Sequence, residues 1–182
     1  MQDKPELLLH ICCAPCSPHI VNLLGEAYRV TAYFYNPNIQ PEDEYRLRER
    51  EIINFSKTQG FELIIGEYEP DKWNEAVRGL EEEREGGRRC EVCFRFRFEA
   101  AAREAAARGI PNVATTLTIS PHKSAAQVNA AGRAAAESVA GVEFLEADFK
   151  KKDGFKITTE LSRAHNFYRQ DYCGCIHSKI KK

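Results

Sequence analysis

Seven cysteines fall in three groups, Cys12, Cys13 and Cys16, then Cys90 and Cys93, then Cys173 and Cys175, and they carry the chemistry this sequence can do. Cys90 and Cys93 are three apart. On a helix their sulfurs share a side and can reach one metal centre. Adjacent Cys12 and Cys13 diverge, which suits two irons of one cluster better than a single tetrahedral ion. Four thiolates from two such pairs match a [4Fe–4S] cluster, whereas structural zinc is held by two well-spaced CxxC pairs, so the spacing favours cluster over zinc. Cys16 precedes Ser17-Pro18, which resembles an N-cap followed by proline at the first helical position; the N–H groups of a helix start favour thiolate. Alone, Cys16 is a fifth ligand, the holder of a second iron, or a small buried residue. In Cys173-Gly174-Cys175 a bridge would close a very short ring, and strained disulfides have the labile potentials a dithiol relay needs. A metal-ligand pair, or two inert thiols, is the alternative.

These groups must be positioned by a chain of 182 residues, 43% hydrophobic and 29% charged, which indicates one globular domain. Residues 1–146 read as an α/β core, and 147–182 as a basic loop, helix and Cys-x-Cys tail of the same domain. Lys+Arg of 26 against Asp+Glu of 27 leaves a charge of −1, so any basic face is local. No apolar run approaches the ~18 residues of a membrane span, and Asp3, Lys4, Pro5 and Glu6 stand where a signal peptide would be apolar. A cytoplasmic chain with no membrane partner is expected. There an odd cysteine count argues for metal or redox chemistry rather than a disulfide framework.

Apolar and polar runs alternate as strand and helix. Leu7 to Ile11 is a strand ending in the cysteine loop, with a helix from Ser17-Pro18; Arg29 to Tyr35 is a strand, Glu42 to Thr58 a helix and Phe61 to Ile65 a strand. A helix from Asp71 to about Glu85 is expected to stop at Gly86-Gly87. The alanine-rich stretch to Arg108 extends one helix back through Cys93; Asn112 to Leu117 is a strand, Ser120-Pro121 starts a helix to about Val139, and Val142 to Leu145 is a last strand. A helix from about Thr158 to Tyr168 follows the Lys150-Lys151-Lys152 loop. This pattern calls for a doubly wound, mostly parallel five-stranded sheet with a Cys-rich helical C-terminal extension. Ligands of such sheets sit beyond the carboxyl ends of the strands, which points Cys12-Cys13, Asn36 with Asn38, and Thr115, Thr116 and Thr118 at one crevice.

Basic residues gather at Arg84, Arg88, Arg89, Arg95 and Arg97 and at Lys150, Lys151, Lys152 and Lys156. They can hold nucleic-acid phosphates, with Phe94, Phe96, Phe98, Phe167, Tyr168 and Tyr172 available to stack a base. The bland reading is a solvated face with Phe94 and Phe98 in the core. The five histidines lack metal-ligand spacing and read as structural, and Trp73 as core.

Cys12-Cys13-Ala14-Pro15-Cys16, Cys90-Glu91-Val92-Cys93, Thr116-Leu117-Thr118-Ile119-Ser120-Pro121-His122-Lys123 and Cys173-Gly174-Cys175 together resemble the QueH-type epoxyqueuosine reductases, in order and over nearly the whole length. That resemblance implies a core similar to the adenine-nucleotide hydrolase-like α/β fold. It implies cobalamin-independent reduction of epoxyqueuosine to queuosine at the wobble position of tRNAs with GUN anticodons, the acceptors of Asp, Asn, His and Tyr, by an unidentified electron donor. It assigns Cys12, Cys13, Cys90 and Cys93 to a [4Fe–4S] cluster and Cys173 with Cys175 to a redox-active disulfide. Cys16 occupies a position that in the family is not always cysteine, with aspartate as the alternative, which suggests a ligand for an additional adjacent iron. Arg95, Arg97, Lys151, Lys152, Asn36 and Thr116 become candidate substrate contacts, and Asp148, Asp153, His165 and Tyr172 candidate proton donors. Two rivals are a zinc-stabilised RNA-binding module without catalysis and an ATP-dependent tRNA-modifying enzyme of the PP-loop type. Against the second, cysteines stand after the first strand where a Ser-Gly-Gly-x-Asp-Ser phosphate loop would be.

Overall fold

The computed structural model describes residues 4–179. Its centre is a five-stranded parallel sheet of β1 (Glu6–His10), β2 (Arg29–Phe34), β3 (Glu62–Ile65), β4 (Asn112–Thr115) and β5 (Glu143–Phe144), ordered β3-β2-β1-β4-β5. Leu8 is paired with Thr31 on one side and Val113 on the other. A strand hydrogen-bonded on both edges and covered on both faces must be apolar throughout, and Leu7, Leu8 and Leu9 are all fully buried. Helices α1 (Pro18–Gly25) and α2 (Glu42–Gln59) cover one face, where Leu7, Leu9, Phe34, Ile52 and Phe55 pack. The other face packs Leu8, Tyr33 and Val113 against α4 (Arg88–Ala107) and α5 (Ala125–Glu137). The expected doubly wound sheet is therefore present. The remaining helices are α3 (Pro70–Ala76), α6 (Gly154–Ala164) and the short α7 (Ile176–Lys179). None of the described helices is long and apolar enough to cross a membrane.

Three helices differ from their expected bounds. α3 ends at Ala76 rather than near Glu85, because Gly79 turns the chain at φ +80° and the buried Arg89 guanidinium draws in the carbonyls of Leu80, Glu81 and Glu83. β4 stops at Thr115, whose Oγ1 accepts from the Leu117 amide at 3.2 Å and starts a 3₁₀ turn over Thr116–Ile119. Ser120, before Pro121, is held extended, so α5 starts only after Ser124, whose Oγ accepts from the Gln127 amide. α6 lies about four residues earlier than expected. Its first residue, Gly154, approaches the Phe149 carbonyl so closely that a Cβ would sit 1.9 Å from the oxygen, and Asn166 at φ +52° closes the far end. Ser17 does occupy the position before Pro18, but its hydroxyl donates to the Cys13 carbonyl at 2.7 Å instead of capping α1.

Candidate metal and redox site

The strand order reverses between β1 and β4, and a cavity of roughly 370 Å3 opens beyond their carboxyl ends. Six of the seven cysteines line it, all but the buried Cys13. The first group leaves β1 through backbone bonds that set its course: the Ile11 amide donates to Tyr33 O at 2.9 Å, and Asn36 Nδ2 donates to Ile11 O at 2.9 Å. The Cys12 amide donates to Thr116 Oγ1 at 3.2 Å, which joins this loop to the turn after β4. A 3₁₀ turn over Ala14–Cys16 then folds the thiols together. Cys13 Sγ lies 3.6 Å from Cys12 Sγ and 3.2 Å from Cys16 Sγ, and all three sulfurs lie within 4.8 Å of one another.

Three crowded thiols share their protons unequally. Bonds from the Cys13 and Cys16 thiols hold Cys12 well below the ordinary thiol range, with Thr116 and Arg97 assisting against burial. Cys13 is pushed up to about 12, chiefly by its bond to Cys12. Cys16 is pushed well up by the same two neighbours and by burial, opposite to the lowering expected from a helix start. The dipole of a short helix is outweighed by two sulfurs in contact.

Cys90 and Cys93 occupy the first turns of α4, as the spacing required, and the Gly86 amide donates to Cys90 Sγ at 3.2 Å. Burial raises the Cys90 pKa. The third group arrives from the chain's other end. Arg48 of α2, 2% exposed and paired with Glu44, donates to the carbonyls of Tyr172 at 3.2 Å and Cys173 at 3.3 Å, and Tyr172 Oη donates to Gln40 O at 2.6 Å. Gly174, at φ +106°, has room for no side chain: a Cβ would lie 2.7 Å from Ile39 Cγ1. Cys173 and Cys175 are free thiols here. A bond from the Cys175 thiol holds Cys173 well below the ordinary range despite burial, with Lys123 and Ser178 assisting, and Cys175 is raised in return.

Of the other sequence candidates, Thr116 joins the cysteine loop directly. Asn36 and Arg97 are buried and bonded to each other, with Arg97 Nη1 4.0 Å from Cys93 Sγ. Arg95 lies on the outer face of α4 in an ion pair with Glu99, and Lys151 and Lys152 are exposed on the turn before α6. Tyr172 lines the cavity. Asp148 pairs with Lys150, and His165 packs on Phe55 and Phe167. Phe94, Phe98 and Trp73 are core. Two further residues reach the site with no local sequence signal to mark them: Arg48, and Gln170, whose Nε2 donates to Cys13 Sγ at 3.1 Å. Lys123 lines the same cavity, and its ammonium lies within electrostatic reach of Cys173, Cys12 and Cys90. Burial lowers its pKa, but those sulfurs and Glu85 more than offset that and raise it.

The donor set fits an iron–sulfur group. Cysteine sulfurs, soft donors once deprotonated, line one cavity, with Cys12, Cys13 and Cys16 close enough to share a metal ion, and five buried polar atoms without a partner, on Asn38, Trp73, Arg89, Arg97 and Gln170, belong to residues that line it.

A family model described as Epoxyqueuosine reductase QueH matches residues 7–181. This chain belongs to the QueH family. Its relatives include the QueH epoxyqueuosine reductases of Streptococcus pyogenes, 38% identical over 181 residues (96% of this chain, 71% of the relative), and of Haemophilus influenzae, 41% identical over 174 residues (95% and 71%). The QueH of Thermotoga maritima is 34% identical over 179 residues, covering 97% of this chain and 91% of its own. The QueH family is one of oxidoreductases, which accords with a cavity walled by thiols.

Proposed function

We propose that this chain reduces epoxyqueuosine to queuosine at the wobble position of tRNAs with GUN anticodons, in the cytoplasm, drawing electrons from an external reductant. Cys12, Cys13, Cys90 and Cys93 hold a [4Fe–4S] cluster in this reading, Cys16 is available to an additional iron, and Cys173 with Cys175 form the redox-active disulfide. The observation that carries it is the convergence of six cysteines, from three distant parts of a QueH-family chain, on one cavity at the reversal of strand order. When bound, the cluster would supply single-electron transfer, and an iron with an open position would supply a Lewis acid for the epoxide oxygen.

The electron count suits the dithiol. Opening an epoxide to an alkene with loss of water consumes two electrons and two protons, and closing a disulfide from two thiols releases two of each. Cys173 is already held toward thiolate, so Cys175 brings one of the protons and a neighbouring donor the other; the Lys123 ammonium lines the same cavity within electrostatic reach of Cys173. Arg97, with Asn36 behind it, holds a positive charge beside Cys12 and Cys93. Contact with tRNA phosphates falls to the exposed Arg95, Lys151 and Lys152. Anaerobic incubation of purified protein with epoxyqueuosine-containing tRNA and a reductant, followed by nucleoside analysis, is expected to yield queuosine. A colourless protein with one zinc, no sulfide and no conversion would overturn the proposal in favour of a zinc-stabilised RNA-binding module.

A further inference from the structure

Phe155, the second residue of α6, is 40% exposed and belongs to no core cluster of the described residues. It lines the main cavity and also a smaller annex of about 110 Å3. Cys16 and Gln170 line both spaces too, so the annex adjoins the cysteine site. Helical periodicity puts Thr158 and Ser162 on the same stripe as Phe155, and both line the annex. They are 5% and 2% exposed, yet neither hydroxyl has a hydrogen-bond partner, and Gln170 Oε1 has none either. Thr159, which lines the annex as well, already donates to the Phe155 carbonyl at 2.9 Å in the ordinary helical way. The two idle hydroxyls, on Thr158 and Ser162, both belong to residues that line the annex.

The exposed Arg169 lines both spaces, and the start of α6 carries further cations. Lys151, Lys152 and Lys156 are exposed with Asp153 among them, while Lys150 is turned inward to the Thr118 and Lys123 carbonyls. A flat apolar face, hydrogen-bonding groups and a cation beside it, and exposed lysines on the same element are together what a nucleobase on a phosphate backbone requires. A lipid chain would leave the hydroxyls unpaired, and a lone phosphate would not use the ring. We propose that Phe155 stacks the wobble base of the RNA substrate, that Thr158, Ser162 and Gln170 bond its polar edge, and that the base's substituent passes Cys16 into the main cavity. This subsite rests on the tRNA reading above and extends it.

The test is equilibrium binding of a queuosine-containing anticodon stem-loop to cluster-loaded protein, beside iron and sulfide content, thermal melting and turnover. Phe155→Ala and Phe155→Leu are each expected to weaken binding about ten-fold, and Phe155→Tyr to retain it, because stacking needs an aromatic face. The salt slope should stay unchanged in all three. Thr158→Val and Ser162→Ala are expected to weaken binding several-fold with melting unaltered. Wild-type affinity in Phe155→Leu would overturn the proposal and make the residue an apolar filler, and parallel losses of melting and binding in the Leu and Tyr variants would do the same. Absence of queuosine formation by the wild-type protein would instead remove the reductase reading, while the binding series still decides the subsite.

Discussion

Replacing Arg48 by methionine, which is of similar length and uncharged, tests whether the Cys173–Cys175 pair depends on α2 for its position. Arg48 donates two charge-assisted hydrogen bonds to tail carbonyls, at 3.2 and 3.3 Å, and its guanidinium lies 5.3 Å from the Tyr172 ring centroid. Bonds to charged groups contribute about 1.5–3 kcal/mol each, and the long distances argue for the low end, so the tail loses about 3 kcal/mol of docking energy. Glu44 keeps one partner, the Tyr168 hydroxyl at 3.2 Å, which limits the further cost on α2. At about 1.36 kcal/mol per decade, the opened fraction of the tail rises on the order of 100-fold. Alkylation of the buried Cys175 in reduced, metal-free protein, followed by peptide mass spectrometry, reads that fraction directly when reclosing is fast. Amide exchange at Leu8, in the middle of the sheet, is the control and should stay near its wild-type rate. A rise in Cys175 labelling below about three-fold, or an equal rise in Leu8 exchange, would refute the idea that Arg48 specifically anchors the tail.

Cys173→Ser should abolish turnover with a chemical reductant while leaving iron and sulfide content intact; loss of the cluster in that variant would make Cys173 a ligand instead. Lys123→Met removes a cation that helps hold Cys173 deprotonated, so the pH midpoint for Cys173 alkylation in reduced protein should move upward. An unmoved midpoint would show that the Cys175 and Ser178 bonds suffice. Lys151→Ala should weaken tRNA binding and lower its salt slope by about one unit, and an unchanged slope would return the lysine turn to an ordinary solvated loop.

The bounds that sequence reading missed had local causes, some of them visible. Ser124-Ala125-Ala126-Gln127 carries a capping-box pattern, and the residue before Pro121 disfavours helix, so the later start of α5 was available in the residues themselves. The end of α3 was less so. Trp73, Val77 and Leu80 have helical spacing, but the carbonyls after Val77 bond to Arg89, a partner whose direction no local pattern reveals. The same holds for Arg97: five arginines near one cysteine pair look alike as letters, yet Arg95 faces water and Arg97 faces Asn36.

What could be read from residues alone was whatever short-range forces decide. The continuous apolar run Leu7–Leu9 reads as a strand, the alanine-rich stretch after Cys93 reads as a helix, and Cys90 with Cys93 on that helix must share a side. Folding decided what depends on separation. Arg48 reaches carbonyls more than 120 positions away, and Gln170 reaches Cys13 across a still longer interval. The proton distribution among Cys12, Cys13 and Cys16 depends on sulfurs 3.2 and 3.6 Å apart, not on the helix start that follows them. Contacts of that kind depend on which face each element buries, and only the packed sheet with its helices in place selects the face.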